Sequence, residues 1–224
     1  MNSTHAMTPL FPRGLYGITP EWDDTDQLLK AIRAAHAGGM SVLQWRRKHA
    51  PESLAHTQLT AVVALCNEIG LPLIINDQLE LAMQHPVAGL HLGKEDGSLR
   101  HARQSLHTNQ WLGTSCYNEL GRARQAIRDG VDYVAFGALF PSTVKSEAVR
   151  AELQLLSKAR DYSASQARTR RTAIVAIGGI TPENARHAFS AGADAVAVIT
   201  SLFEAPDVTA QAQRFVQCFE QYAT

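Results

Sequence analysis

The sequence has only three cysteines, Cys66, Cys116 and Cys218, an odd number with no C-x-x-C spacing. That excludes a disulfide framework and a thiolate zinc centre, and leaves reduced, partly buried thiols. Charge of one sign is lacking as well: 21 Lys and Arg stand against 21 Asp and Glu, for a formal net charge of zero. No global field draws the chain to nucleic acid or to an anionic membrane, so any anion site has to be local. No apolar stretch approaches the roughly 20 residues needed to span a bilayer, and residues 1–13 lack the basic and apolar regions of a signal peptide. A cytoplasmic protein is the expectation. The first strand-to-helix turn, Gly17-Ile18-Thr19-Pro20, has no G-x-G-x-x-G pattern, which speaks against a dinucleotide-binding open sheet. No internal repeat stands out, and no Ser/His/Asp or Cys/His arrangement for nucleophilic catalysis is evident.

What is present is an alternation. Apolar, β-rich runs fall at 14–19, 42–46, 71–76, 88–93, 111–116, 133–138, 174–179 and 195–200. Between them lie stretches with helical spacing, at 25–37, 53–69, 120–129 and 182–191 among others, several closed by glycine. Thr181-Pro182-Glu183 reads as an N-cap, N1 and N2 series. The longest connection, 139–172, holds a helix expected at 148–159 and then an Arg-rich tail, 161–172, read as a solvated loop or frayed helix. Strands alternating with helices imply a parallel sheet. Eight such units in 224 residues fit a single-domain α/β chain of the (β/α)8 TIM-barrel class, with 1–13 as an N-terminal tail and 14–224 as the barrel.

In such a barrel, function gathers where the strands end. Two aspartates lie at such ends: Asp77 in Leu73-Ile74-Ile75-Asn76-Asp77 and Asp96 in His91-Leu92-Gly93-Lys94-Glu95-Asp96. Adjacent strands run about 4.8 Å apart, so carboxylates past two neighbouring ends can straddle a hard cation, and magnesium fits one or two carboxylates plus substrate phosphates. Their structural alternatives are an N-cap at Asp77 ahead of a helix at 78–84 and an Asp-Gly turn at Asp96-Gly97. On strand two, period-two alternation sends Gln44, Arg46 and Lys48 into the mouth and Trp45 and Arg47 toward the helices. An Arg fork and a compact ammonium suit a diphosphate. Ser142, Thr143 and Lys145 form a polar loop able to close over an anion. Gly178-Gly179 and Ile199-Thr200, past strands seven and eight, stand where barrels commonly bind a monophosphate through backbone N–H groups.

These residues carry a resemblance that covers nearly the whole chain. Gln44-x-Arg46-x-Lys48, Ile75-Asn76-Asp77, Gly89-Leu90-His91-Leu92-Gly93-x-Glu95-Asp96, Leu112-Gly113-x-Ser115, Asp132-Tyr133-x-x-x-Gly137, Phe140-Pro141-x-x-x-Lys145 and Ala176-Ile177-Gly178-Gly179-Ile180 together resemble the thiamine phosphate synthase family. The resemblance implies a TIM barrel that condenses hydroxymethylpyrimidine diphosphate with a thiazole phosphate carboxylate, giving thiamine monophosphate, diphosphate and carbon dioxide. It further implies that Gln44, Arg46, Lys48, Asn76, Ser115 and Lys145 hold the pyrimidine diphosphate, with Arg46, Lys48, Lys145 and Ser115 serving the chemistry. Asp77 and Asp96 would hold Mg2+. Ser142, Thr143, Val144, Gly179, Ile199 and Thr200 would contact the thiazole phosphate. The implied partners are small phosphorylated substrates, with neither nucleic acid nor membrane, and a homo-oligomer is left open. The C–O bond to diphosphate would break first and the thiazole nitrogen would capture the pyrimidine methylene cation, a step that asks for electrostatics and positioning.

Five positions depart from the family pattern, Ser142 and Thr200 conservatively and three with a change of chemistry. Val144 stands where a second loop hydroxyl is usual, Lys94 replaces a glutamine and adds positive charge near the metal, and Tyr117 stands where a histidine often follows the serine of strand five. Two other readings accompany these changes: a thiazole tautomerase-like paralogue, which would want a general-base histidine near position 117, and a noncatalytic phosphate-ligand-binding barrel.

Overall fold

The computed structural model describes residues 8–141, 150–167 and 169–222 and contains a closed, all-parallel barrel in the order β1 to β8, with β1 pairing to β8 to complete it. The strands are β1 (Gly14–Ile18), β2 (Val42–Trp45), β3 (Leu73–Asn76), β4 (Gly89–Leu92), β5 (Trp111–Tyr117), β6 (Tyr133–Phe136), β7 (Ala173–Ile177) and β8 (Ala195–Val198). Around them run α1 (Thr25–Ala37), α2 (Glu52–Ile69), α3 (Leu79–Gln84), α4 (Leu99–Ser105), α5 (Leu120–Arg128), α6 (Gln154–Gln166), α7 (Pro182–Ser190), α8 (Thr200–Phe203) and α9 (Val208–Tyr222). The single-domain (β/α)8 barrel expected from the alternation is the fold. Local chemistry sets the helix ends: the Asp24 carboxylate accepts from the Gln27 N–H at 2.9 Å to open α1, and Gly70, at φ 69°, closes α2 in the left-handed region.

Two hydrophobic layers follow from the pleat. Leu43, Trp45, Leu73, Ile75, Leu90, Leu92 and Val196 face outward and pack in the layer between sheet and helices. Tyr16, Ile18, Val42, Ile74, Tyr133, Val175 and Ala197 face inward and fill the barrel. Just ahead of β1, Phe11 is 1% exposed and belongs to the inner layer. Its ring stacks on Tyr133 at 4.1 Å between centroids and meets Tyr16 and Trp111 edge-on at 5.4 and 5.5 Å. Burial of a side chain of this size contributes about 1.5–3 kcal/mol. Gly113 gives Tyr133 its space, because a Cβ there would lie 1.9 Å from the tyrosine ring.

The structure shortens or shifts most of the expected strand bounds by one or two residues, with strand six ending at Phe136 and strand seven at Ile177, and three corrections have wider structural consequences. Strand two stops at Trp45 and strand eight at Val198, short of Arg46 and Thr200. Thr200 instead opens α8, where the N–H groups of Leu202 and Phe203 return to the Ile199 carbonyl at 3.1 and 3.0 Å. The helix expected at 148–159 falls partly on 142–149, outside the described residues; the helix present, α6, runs on to Gln166 through the stretch read as solvated. The reason lies in its buried stripe, Leu156, Ala159 and Ser163, with the Ser163 hydroxyl donating to the Thr172 carbonyl at 2.9 Å. Arg171 is likewise not solvated: its side chain is 4% exposed and makes a two-pronged ion pair with the fully buried Asp194, at 2.6 and 2.5 Å.

Candidate active site

Register brings the candidate residues to one rim. Ile18 pairs with Gln44, Gln44 with Ile74, and Asn76 with His91, so the ends of β1 to β4 stand at matching height. Gln44 and Asn76 point inward and are 3% and 8% exposed. Trp45 lies in the outer layer, and Arg47 turns outward to Asp23 at 2.7 Å and Glu21 at 3.6 Å, so the alternation read from sequence holds along this strand.

Arg46 and Lys48 are each held by a carboxylate. Arg46 pairs with Glu21 at 3.1 Å, and the same carboxylate accepts the Lys48 N–H at 3.0 Å. Lys48 Nζ lies 2.8 Å from Asp77. Asp77 is not a helix cap: Gln78 occupies the position before α3, while the Asp77 N–H donates to the His91 carbonyl at 2.8 Å. Its φ of 64° puts a non-glycine residue in the left-handed region, a conformation that aspartate tolerates and that turns its carboxylate toward the neighbouring strand end.

There it meets Asp96, whose carboxyl is within hydrogen-bonding reach. Lost solvent first, and then the Asp77 carboxyl, raise the Asp96 pKa from its ordinary value, against the lowering pull of the Gly93 N–H and Lys48. Asp96 also anchors its own loop, accepting from the Gly93 N–H at 2.8 Å beside Gly97 at φ 121°. Two carboxylates pressed together demand a shared proton or a cation. Among the described residues they are not part of a cluster of three or more His, Cys, Asp or Glu, so the donor set matches a hard cation completed by ligand oxygens and water.

Ser115 lies inward on β5, with its Oγ 2.9 Å from His91 Nε2. His91 is buried and faces into the barrel, where desolvation pushes its pKa down to about 4. Cys116, on the opposite face, is fully buried and its thiol is raised to about 12, a packing residue. A register shift between Ser115 and Tyr117 and a φ of 53° at Tyr117 turn β5 outward at the rim. Lys94 sends its ammonium to Glu119 at 3.6 Å, which offsets part of the charge it brings.

On the far side, Ile177 pairs with Ala197, so Gly179 and Ile199 each stand two residues beyond a matched pair. Gly179 has φ 64°, and a Cβ there would meet the carbonyl oxygens of Pro141 and Phe140 at 2.3 and 2.6 Å. The glycine therefore lets the loops after β6 and β7 close on one another, beyond any room it leaves for a ligand. Ser142, Thr143, Val144 and Lys145 lie outside the described residues.

Several positioning residues escaped the sequence reading. The Thr19 hydroxyl accepts the Arg46 N–H at 2.8 Å and donates to the Arg46 carbonyl at 3.2 Å. Arg122 ties β4 to β5, donating to the Ser115 and Gly93 carbonyls at 2.7 and 3.1 Å. Asn184 donates to the Gly179 carbonyl at 2.9 Å and accepts from the Thr181 N–H at 2.9 Å. The polar end of an apolar run marked Thr19; nothing local marks Arg122 or Asn184. Thr19→Val keeps the side chain's shape and removes both bonds to Arg46. It is expected to lower kcat/KM about tenfold through misplacement of the guanidinium and stability by about 1–3 kcal/mol, read by steady-state kinetics and thermal unfolding.

A closed (β/α)8 barrel with cations, amides and a carboxylate pair at the C-terminal ends of its strands is the layout of a barrel enzyme acting on charged small molecules. Comparison with known proteins narrows the class. The chain belongs to the thiamine monophosphate synthase family, whose model matches residues 15–202. It is 50% identical over 209 residues to the thiamine-phosphate synthase of Bordetella pertussis, covering 93% of this chain and 96% of the relative. With that of Methylobacillus flagellatus it shares 46% identity over 215 residues, 96% of this chain and 98% of the relative. Among solved structures, thiamine phosphate pyrophosphorylase from Pyrococcus furiosus superimposes with a TM-score of 0.77 at 28% identity, covering 94% of this chain and 97% of that one.

Proposed function

We propose that this chain is a transferase that joins a pyrimidine methyl diphosphate to a thiazole phosphate (carboxylate) to give thiamine monophosphate, diphosphate and carbon dioxide. The observation that carries the reading is the Asp77–Asp96 carboxyl pair with Lys48 Nζ 2.8 Å from Asp77 and Arg46 on the same strand end. Asp77 and Asp96 would hold Mg2+, which supplies charge neutralisation to the departing diphosphate.

The protein's own groups do the remainder. Glu21 and Asp77 hold Arg46 and Lys48 at the rim, where a diphosphate would take the place of those partners. Gln44, Asn76 and Ser115 line the inner wall and orient the pyrimidine, and the sequence assigns Lys145 to the diphosphate as well. Gly179, Ile199 and Thr200 seat the thiazole phosphate opposite, and the sequence assigns Ser142, Thr143 and Val144 to the same phosphate. The C–O bond breaks with its electron pair leaving on diphosphate, and the thiazole nitrogen lone pair forms the new C–N bond; where the thiazole carries the carboxylate, its C–C bond breaks to release carbon dioxide, and the electron pair left on the thiazole takes up a proton. Such a step needs positioning and excluded water and no protein nucleophile, in keeping with the buried, unactivated Cys116.

The tautomerase-like alternative has less support, since Tyr117 stands where its histidine would be and both aspartates face each other at the rim. The reading carries with it a cytoplasmic enzyme working on soluble phosphorylated substrates, consistent with the lack, among the described residues, of any helix long and apolar enough to cross a membrane. Purified protein given both substrates and magnesium is expected to form thiamine monophosphate, and chelation of the metal to stop it. Intact diphosphate binding without product would sink the synthase reading in favour of a binding barrel.

A further inference from the structure

The synthase reading makes no use of two buried tyrosines. Tyr16 on β1 and Tyr133 on β6 are 1% and 0% exposed, and their hydroxyls meet inside the barrel at 2.8 Å. Each also bonds to a group of the rim: Gln44 Nε2 donates to the Tyr16 hydroxyl at 2.7 Å, and the Tyr133 hydroxyl lies 3.0 Å from His91 Nδ1. His91 Nε2 in turn lies 2.9 Å from Ser115 Oγ. Five side chains from five strands thus form one unbroken line of hydrogen bonds, from Gln44 to Ser115.

We propose that Tyr16, Tyr133 and His91 form a relay that locks the hydrogen-bonding sense of Gln44 to that of Ser115, and that the two tyrosines are positioning residues for the ligand in the mouth. The proposal rests on the synthase reading, in which Gln44 and Ser115 contact the pyrimidine diphosphate.

Proton counting carries it. A hydroxyl has one proton, and a neutral imidazole has one N–H and one acceptor nitrogen. With Gln44 Nε2 donating to Tyr16, every hydroxyl in the line finds an acceptor only if the Tyr16 proton goes to Tyr133 and the Tyr133 proton to His91 Nδ1. His91 then carries its hydrogen on Nε2 and donates to Ser115 Oγ, leaving the serine proton to donate to a ligand and Gln44 Oε1 to accept from one. Turning the Gln44 amide over would reverse every bond in the line and exchange the two roles. The relay therefore allows two senses and no mixture, and a ligand with a donor at one end and an acceptor at the other selects a single one. An aminopyrimidine, which carries an amino donor beside ring-nitrogen acceptors, has that chemistry. Gly113 serves the same line, since only a residue without a Cβ leaves the Tyr133 ring in place.

Tyr133→Phe removes the central hydroxyl and keeps the ring that stacks on Phe11. It is expected to lower kcat/KM for the pyrimidine diphosphate about tenfold in wild-type background, and to change it less than about twofold when Ser115 is already alanine. Tyr16→Phe is the second variant, with the same coupling expected to Gln44→Ala. Equal losses in both backgrounds would show that the hydroxyls serve packing alone and would overturn the relay. Nitrogen-resolved NMR of His91 with the pyrimidine diphosphate bound gives a readout apart from activity: one tautomer in the unsubstituted protein, and a mixture in Tyr133→Phe. An unchanged tautomer in the variant also overturns the relay. Failure of the unsubstituted protein to form product would instead count against the synthase reading, and the histidine measurement would still test the relay.

Discussion

Asp77→Asn is expected to lower magnesium-dependent turnover by about 10³-fold while leaving the fold intact. Asparagine is the informative replacement because of the backbone. At φ 64° Asp77 sits in the left-handed region, which asparagine also tolerates, whereas alanine would add strain of roughly 1–2 kcal/mol. The substitution therefore removes the charge and little else. Two electrostatic consequences follow at once: Lys48 loses its partner at 2.8 Å, and Asp96 loses the carboxyl beside it that helps to hold its pKa high. Kinetics across a magnesium titration, with thermal unfolding as the control, separates the outcomes. Turnover within about threefold of the unsubstituted enzyme would return Asp77 to a purely conformational role.

The largest effect on stability is expected at the other end of the barrel. Asp194 is fully buried, accepts two bonds from Arg171 at 2.6 and 2.5 Å and the Ile174 N–H at 2.8 Å, and has Arg13 at 3.7 Å. Asp194→Ala strips the carboxylate and leaves the Arg171 guanidinium buried without it. Breaking one side of a buried ion pair costs about 3–5 kcal/mol, far more than an exposed pair is worth. In a chain of this size that corresponds to a fall in Tm of about 10 °C. Arg171→Met should cost less, because Asp194 retains the Ile174 N–H and Arg13 as partners. A loss below about 1 kcal/mol for Asp194→Ala would mean that water or a rearranged arginine replaces the pair.

These two sites differ in how far the sequence announced them. Asp77 and Asp96 could be picked out because an acid after an apolar run is a costly placement, and because β3 and β4 are consecutive, so barrel order makes their ends neighbours. Gln44, Arg46 and Lys48 were legible from period-two alternation, and the glycine pair after β7 from its composition. Arg171, by contrast, stands in an arginine-rich stretch whose composition reads as solvated surface. Its partner is 23 residues away, just ahead of the next strand, and only the pairing of β7 with β8 brings the two together. The helix overrun to Gln166 was hidden for the same reason, since the stripe of Leu156, Ala159 and Ser163 has meaning only against the sheet that buries it.

By itself, then, the sequence determined the alternation of eight strands and helices, the family, and the residue types that end each strand, because periodicity and local cost are properties of adjacent residues. The tertiary structure alone decided which groups act together. Thr19 clamping Arg46 and Arg122 bridging β4 to β5 join strands that pair side by side, and the line from Gln44 through Tyr16, Tyr133 and His91 to Ser115 also crosses the barrel interior between strands that do not pair. Tyr16 and Tyr133 are 117 positions apart in the chain, and their 2.8 Å contact exists only because the barrel folds both hydroxyls into one interior.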